Sequence, residues 1–169
     1  SFFESVSGIT TTGSTILADI EALPPGILIW RAILQWLGGV GIMVMALSVL
    51  PLLHVGGMQL FKAESFEIEK VLPSAAKIAT YIGILYVVLT LICALLYHMA
   101  GMTGFDAFAH AMTTIATGGY STYNASIGYF DSALIDYICI AFMWIGSLPF
   151  VLYLHIIRGN YGHFLFDSQ

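Results

Sequence analysis

Residues 7–16 read SGITTTGSTI, and residues 115–121 read IATGGYS. Set so that Ile9 meets Ile115, Thr11 falls on Thr117, Gly13 on Gly119, and Ser14-Thr15 on Tyr120-Ser121. A single Thr/Gly stretch between apolar segments is an ordinary turn signal. Two copies in matching surroundings are a repeat. Each follows a short apolar segment, Ser1 to Ile9 in one case and Phe105 to Ile115 ("FDAFAHAMTTI") in the other. Neither segment is long enough to cross a bilayer. Each copy then leads through an acidic loop to a long span carrying Trp-x-Gly. These are Trp36-Leu-Gly38-Gly39 and Trp144-Ile-Gly146-Ser147, the second reached after a loop two residues longer.

The surroundings are membrane-like. Of 169 residues, 59% are hydrophobic and 9% charged, against about a quarter charged in soluble domains. Residues 32–53, 78–97 and 137–157 contain no Asp, Glu, Lys or Arg, and each is close to the ~20 residues that cross a ~30 Å hydrocarbon core. The fold class expected is an all-α membrane protein. Its first span is read as Ile27 to Leu53, its second as about Ser74 to Ala100, and its third as ending near Arg158. Pro24-Pro25-Gly26 closes the polar loop that precedes the first span. Cys93 and Cys139 lie within apolar spans and read as small buried hydrophobes.

Charge orients the spans. Lys62, Lys70, Lys77 and Arg158 flank one set of span ends, which the positive-inside rule places in the cytoplasm. The other ends carry Glu4, Asp19, Glu21, Asp106, Asp131 and Asp136, opposed by Arg31 alone, and a face this acidic concentrates cations. The second span then runs outward and the third inward. The short segment and Thr/Gly turn between them must enter and leave by the same face, so the expected architecture has re-entrant half-helices. Non-helical backbone at that depth is tolerated only inside protein or along a water-filled cavity. The division expected is 1–53 for the first module, 54–73 for a cytoplasmic connector ("KAESFEIEK"), 74–158 for the second module and 159–169 for the start of another connector. The opening in mid-pattern, without a methionine, is read as that of an excerpt from a longer subunit.

Such turns suit a dehydrated alkali cation, which needs oxygens in place of its hydration shell. Glycine allows the left-handed dihedrals that aim carbonyls along a narrow path. Threonine adds a hydroxyl on a stiff side chain. A half-helix directs its negative end toward the ion. Potassium filters use Thr-Val-Gly-Tyr-Gly in four copies, and Thr11-Thr12-Gly13 and Thr117-Gly118-Gly119-Tyr120 are looser versions.

Together "FESVSGITTTGST" (3–15), "WRAILQWLGGVGIMV" (30–44) and "ATGGYS" (116–121) resemble the TrkH-type potassium uptake subunits of the Trk/Ktr/HKT superfamily. That resemblance implies four membrane-pore-membrane repeats around one filter, similar to potassium channels, with essentially one glycine per strand. It makes Thr11, Thr12 and Gly13 filter residues of a first repeat and Thr117, Gly118 and Gly119 those of a second. Potassium would be held at Thr11, Thr12, Thr117 and Gly118. It also implies a homodimer in the bacterial cytoplasmic (inner) membrane, multi-pass and in contact with lipid. A cytosolic nucleotide-binding regulatory subunit of TrkA/KtrA type would sit beneath it. No cofactor and no nucleic acid is expected; the cargo is K⁺.

Rival readings are weaker. A sodium-passing or ion-coupled transporter of the same superfamily would share these motifs. A haem-binding electron carrier would use His98, His110 or His155, but the breaks at Gly101 and Gly104 keep His98 and His110 out of register. No Gly-x-Ser-x-Gly elbow marks a hydrolase and no Walker loop marks a nucleotide site, so no enzyme is expected. Arg31 reads equally as a side chain reaching the interface or as a salt bridge behind the turn, with Glu4, Asp19 or Glu21 as partner. Glu4 and Asp106 read as capping or orienting the half-helices. Gly38, Gly39, Gly41 and Gly146 read as close-packing positions rather than hinges.

Overall fold

The computed structural model describes residues 2–49 and 75–148. Over them the chain is helical: α1 Phe2–Ile9, α2 Pro25–Val49, α3 Ala75–Met99, α4 Gly104–Ile115 and α5 Ala133–Ser147, with a 3-10 turn at Ser126–Phe130. The connectors around Lys62, Lys70 and Arg158, and His155, lie outside the described residues.

Local chemistry sets the helix ends. Pro25 opens α2, where its missing N–H and fixed φ are harmless. Thr103 caps α4: its Oγ1 accepts from Asp106 N at 3.2 Å and donates to Asp106 Oδ2 at 2.7 Å. Thr103 thus satisfies one free N–H of the first turn, and Asp106 in turn fixes the Thr103 hydroxyl. The helix of the third span, α5, runs from Ala133 to Ser147, where Leu148 is extended at φ −68°, ψ 141°; the span end expected near Arg158 lies outside the described residues. Leu148 precedes Pro149, whose ring disfavours helical dihedrals in the residue before it.

Packing follows two helical stripes. On α3, Ile82, Tyr86, Thr90, Cys93 and Tyr97 recur every three or four residues and are buried. Ala107, Ala111 and Ile115 of α4 lie in the same core, and the small side chains of Ala107 and Ala111 let the short helix close on α3. Tyr97 Oη and Thr114 Oγ1, 3.0 Å apart, fix the register. The opposite face of α3 leaves Ile84, Leu91 and Leu95 exposed. Among the described residues two helices, α2 over Pro25–Ile42 and α3 over Thr80–Met99, are long and apolar enough to cross a membrane.

The Trp-Leu-Gly-Gly motif joins α2 to α3. Trp36 Nε1 donates to Thr90 Oγ1 at 3.0 Å, and Tyr86 Oη donates back to the Trp36 carbonyl at 3.3 Å. A Cβ on Gly38 would collide with the carbonyl of Ile9, and one on Gly146 with that of Ile115. Each long helix therefore passes closely over the last turn of its half-helix. Gly39 is closed in by Tyr86 and Ala116, while Gly41 meets nothing within 4 Å. The packing expectation holds for three of the four glycines.

Candidate functional site

The two Thr/Gly turns share the same pair of closing backbone bonds, and the first adds a long one from Gly13 N to Ser7 O at 3.4 Å. Thr11 N donates to Gly8 O at 2.9 Å and Thr12 N to Ser7 O at 3.0 Å; Thr117 N donates to Thr114 O at 3.0 Å and Gly118 N to Thr113 O at 2.9 Å. This is the Schellman arrangement, which ends a helix through one left-handed residue, usually glycine. Here that residue is threonine, with φ 56° at Thr11 and 53° at Thr117. A left-handed conformation costs a residue with a Cβ about 1–2 kcal/mol, and a β-branched one is a true outlier. Gly13 and Gly119 follow at φ 79° and 82°. Thr12 and Gly118 between them are not left-handed. Each strand thus alternates in handedness, which the rest of the structure must hold in place.

Side chains do so differently in the two copies. In the first, buried Glu4 reaches across the turn: Oε1 accepts from Thr15 Oγ1 at 2.8 Å and Ile16 N at 2.7 Å. Its Oε2 lies 3.1 Å from Arg31 Nε in a buried ion pair. Arg31 is therefore a salt-bridge residue, with Glu4 as partner rather than Asp19 or Glu21. In the second copy His110 occupies the position of Glu4. Its Nδ1 lies 2.8 Å from the Asp106 carbonyl and its Nε2 2.8 Å from Ser121 Oγ. A carbonyl only accepts, so Nδ1 carries the proton and Ser121 donates to Nε2. Ser121 Oγ also accepts from Tyr123 N at 3.0 Å. Both ring nitrogens are engaged, which leaves neither for a haem iron.

Asp106 orients the rest of the second turn. Its Oδ1 accepts from Thr122 Oγ1 at 2.7 Å and its Oδ2 from Tyr123 Oη at 3.1 Å. Burial, and the Asp106 carboxylate beside it, push the Tyr123 phenol up to about 12. Tyr123 stacks on Tyr129 at 3.6 Å, and Phe130 sets its edge against both rings and against His110.

The copies also meet each other. A Cβ on Gly13 would fall on the carbonyl oxygen of Gly118, so the two strands touch at these residues. Tyr120 Oη donates to the Glu4 carbonyl at 3.0 Å, and the Arg31 guanidinium lies 4.1 Å from the Tyr120 ring centroid. Arg31 Nη1 also donates to the Ser121 carbonyl at 3.4 Å. At the loop end, Asn124 accepts from Ile20 N at 2.8 Å and donates to Glu21 and Asp19. Asp19 and Glu21 thus hold the two loops together.

A family model described as TrkH, cation transport protein, matches residues 1–165. The chain belongs to the TrkH family. It is 48% identical to the Trk system potassium uptake protein TrkI of Halomonas elongata over 99% of its own length and 34% of that protein's. It is 47% identical to TrkH of Escherichia coli over 94% of its length and 34% of that protein's. The solved structure of the potassium transporter TrkH from Vibrio parahaemolyticus superposes with TM-score 0.80 at 41% identity, covering 94% of this chain and 31% of that one. The chain therefore spans about a third of the curated relatives it matches. The all-α membrane fold expected from sequence stands on this likeness. These TrkH relatives are named for potassium uptake, and none is named as an electron carrier or an enzyme.

Of the six residues singled out by sequence, Gly13 and Gly118 are brought into contact, Thr117 and Gly119 are exposed on one side of their strand, and Gly118 and Tyr120 are buried on the other. Thr12 is exposed and Thr11 half-buried. Sequence reading missed two residues behind the strands. His110 was weighed only as a haem ligand, although its match to Glu4 was implicit in the repeat. Gln35, fully buried, is the one carboxamide in the uncharged run 32–53 and stands four residues after Arg31.

Proposed function

We propose that the full subunit containing this chain conducts potassium through a four-strand filter, two strands of which are Thr11-Thr12-Gly13 and Thr117-Gly118-Gly119. The observation that carries this reading is the matched alternation of handedness in both turns, left at Thr11 and Thr117 and left again at Gly13 and Gly119. Such alternation turns successive peptide planes so that carbonyl oxygens gather on one side, and those oxygens replace a cation's hydration shell. A helix end, with its partial negative charge, points into each turn. Buried pairs behind the strands hold the strained backbone, so an ion meets a preformed ring.

K⁺ is the cargo, moving inward under the membrane potential, which is worth about 2.3 kcal/mol per charge per 100 mV. The strands open on the face carrying Asp19 and Glu21, taken as external. The modules divide as 1–53 and 74–158, with connectors on the cytoplasmic side. Assembly as a homodimer in the inner membrane on a nucleotide-binding regulatory subunit completes the proposal. The names and likeness of the relatives support potassium uptake by the full subunit, and Gly13→Ser and Gly119→Ser in the full-length subunit test the filter. Both are expected to lower K⁺ uptake and K⁺/Na⁺ discrimination. Unchanged discrimination in both would overturn the reading.

A further inference from the structure

Gly118 is a glycine without a conformational reason. Its φ is not left-handed, and the matched residue of the first strand is Thr12. What excludes a side chain at 118 is Gln35: an added Cβ would collide with Cδ, Oε1 and Nε2 of that carboxamide. Gln35 comes from α2 of the first repeat and reaches the strand of the second. Its Oε1 accepts from Tyr120 N at 3.0 Å. Its Nε2 is buried without a partner among the described residues, 3.4 Å from where a Cβ on Gly13 would stand. The carboxamide is thus wedged between the two strands at their contact.

The bond to Tyr120 N has a geometric consequence. That N–H shares a planar trans peptide with the Gly119 carbonyl, and the two point in opposite directions. Holding the N–H toward α2 turns the Gly119 oxygen away from α2. Gly119 is left-handed at φ 82° and exposed. A glycine-linked peptide of this kind flips readily unless its N–H is held. The residue aligned with Gln35 in the second repeat, one before Trp144, is Met143, whose thioether is a poor acceptor.

We infer that Gln35 is a positioning residue for ion selection, which locks the Gly119–Tyr120 peptide with its carbonyl facing the ion path and sets the requirement for glycine at 118. This rests on the filter reading above. The test uses the full-length subunit carrying Gln35→Met, Gln35→Ala, Gly118→Ala, or Gln35→Ala with Gly118→Ala. K⁺ uptake with Na⁺ competition is measured per molecule in the membrane. Gln35→Met keeps the volume but loses the acceptor, and K⁺/Na⁺ discrimination is expected to fall roughly tenfold, the scale of leaving one buried N–H unpaired. Gly118→Ala is expected to be harmful alone and less so when Gln35 is also alanine, because the collision is relieved. Parental discrimination in Gln35→Met, or a Gly118→Ala effect of equal size in both backgrounds, overturns the inference. Failure of both Gln35 variants to accumulate would assign the residue to folding and also overturn it. If Gly13→Ser and Gly119→Ser shift discrimination while Gln35→Met does not, Gln35 alone has been misread. If none of them does, the filter reading itself falls.

Discussion

Removing the Glu4 carboxylate alone should destabilise the subunit by as much as removing the ion pair whole, or more. Glu4 and Arg31 are 3.1 Å apart with side chains only 8% and 4% exposed, so solvent does little to screen either. In Glu4→Gln the amide keeps an acceptor for Thr15 and Ile16 but leaves the Arg31 charge buried beside Tyr120. Stranding one partner of a buried pair costs about 3–5 kcal/mol. Replacing both by apolar residues, Glu4→Leu with Arg31→Met, removes the stranded charge. What remains is the loss of the bonds to Thr15 and Ile16 and of the weak contact to Ser121, roughly 1 kcal/mol each. The assay is reversible SDS unfolding of the full-length subunit in mixed micelles, read as a double-mutant cycle with Glu4→Leu and Arg31→Met as the single variants. The singles should sum to about 6–10 kcal/mol and the double variant should cost about 3 kcal/mol. That is a shortfall of about 3 kcal/mol or more, at or above the upper end for residues in direct contact. Additive losses would refute the claim that the pair acts as a unit.

Three further outcomes follow from the geometry. Gly38→Ala and Gly146→Ala each drive a methyl into a helix-end carbonyl, of Ile9 and Ile115 respectively; overpacking of this kind costs about 1–3 kcal/mol, measurable by the same unfolding. Thr11→Gly and Thr117→Gly relieve left-handed threonine, so stability should hold or rise by about 1 kcal/mol while K⁺ uptake falls. A loss of both would show that the strain is not there. The Tyr123 phenol has its pKa raised from 10.0 to about 12. The fold favours its neutral form, so that contribution is full below pH 10 and disappears as pH rises through about 12. Tyr123→Phe should remove this part of the alkaline loss, with phenolate absorbance in the ultraviolet following the titration.

The repeat was legible because its evidence is local. Thr11 and Thr117 sit at equivalent points of short apolar segments, and the backbone bonds that follow depend only on neighbours within five residues. Asp106 was legible as a residue of the α4 cap for the same reason, although the N-cap itself, Thr103, was not singled out. Residues acting across the fold were not. Arg31 remained balanced between two roles because its partner lies 27 residues away in the chain. Gln35 looked like one polar residue in an apolar helix, because the N–H it holds is 85 residues further on. His110 invited a metal reading because its hydrogen-bond partners, a backbone carbonyl and a serine, leave no motif. The break at Leu148 has a local signal in Pro149, which the reading of the span from its uniform apolar composition did not use.

The central claim is that ions are held by the backbone and hydroxyl oxygens of the two Thr/Gly turns. Anomalous diffraction from crystals of the full-length subunit grown in Rb⁺ addresses it directly. The account predicts Rb⁺ peaks at coordination distance from oxygens of Thr11, Thr12, Thr117 and Gly118. Ordered Rb⁺ elsewhere in the subunit, with none beside these strands, would contradict it.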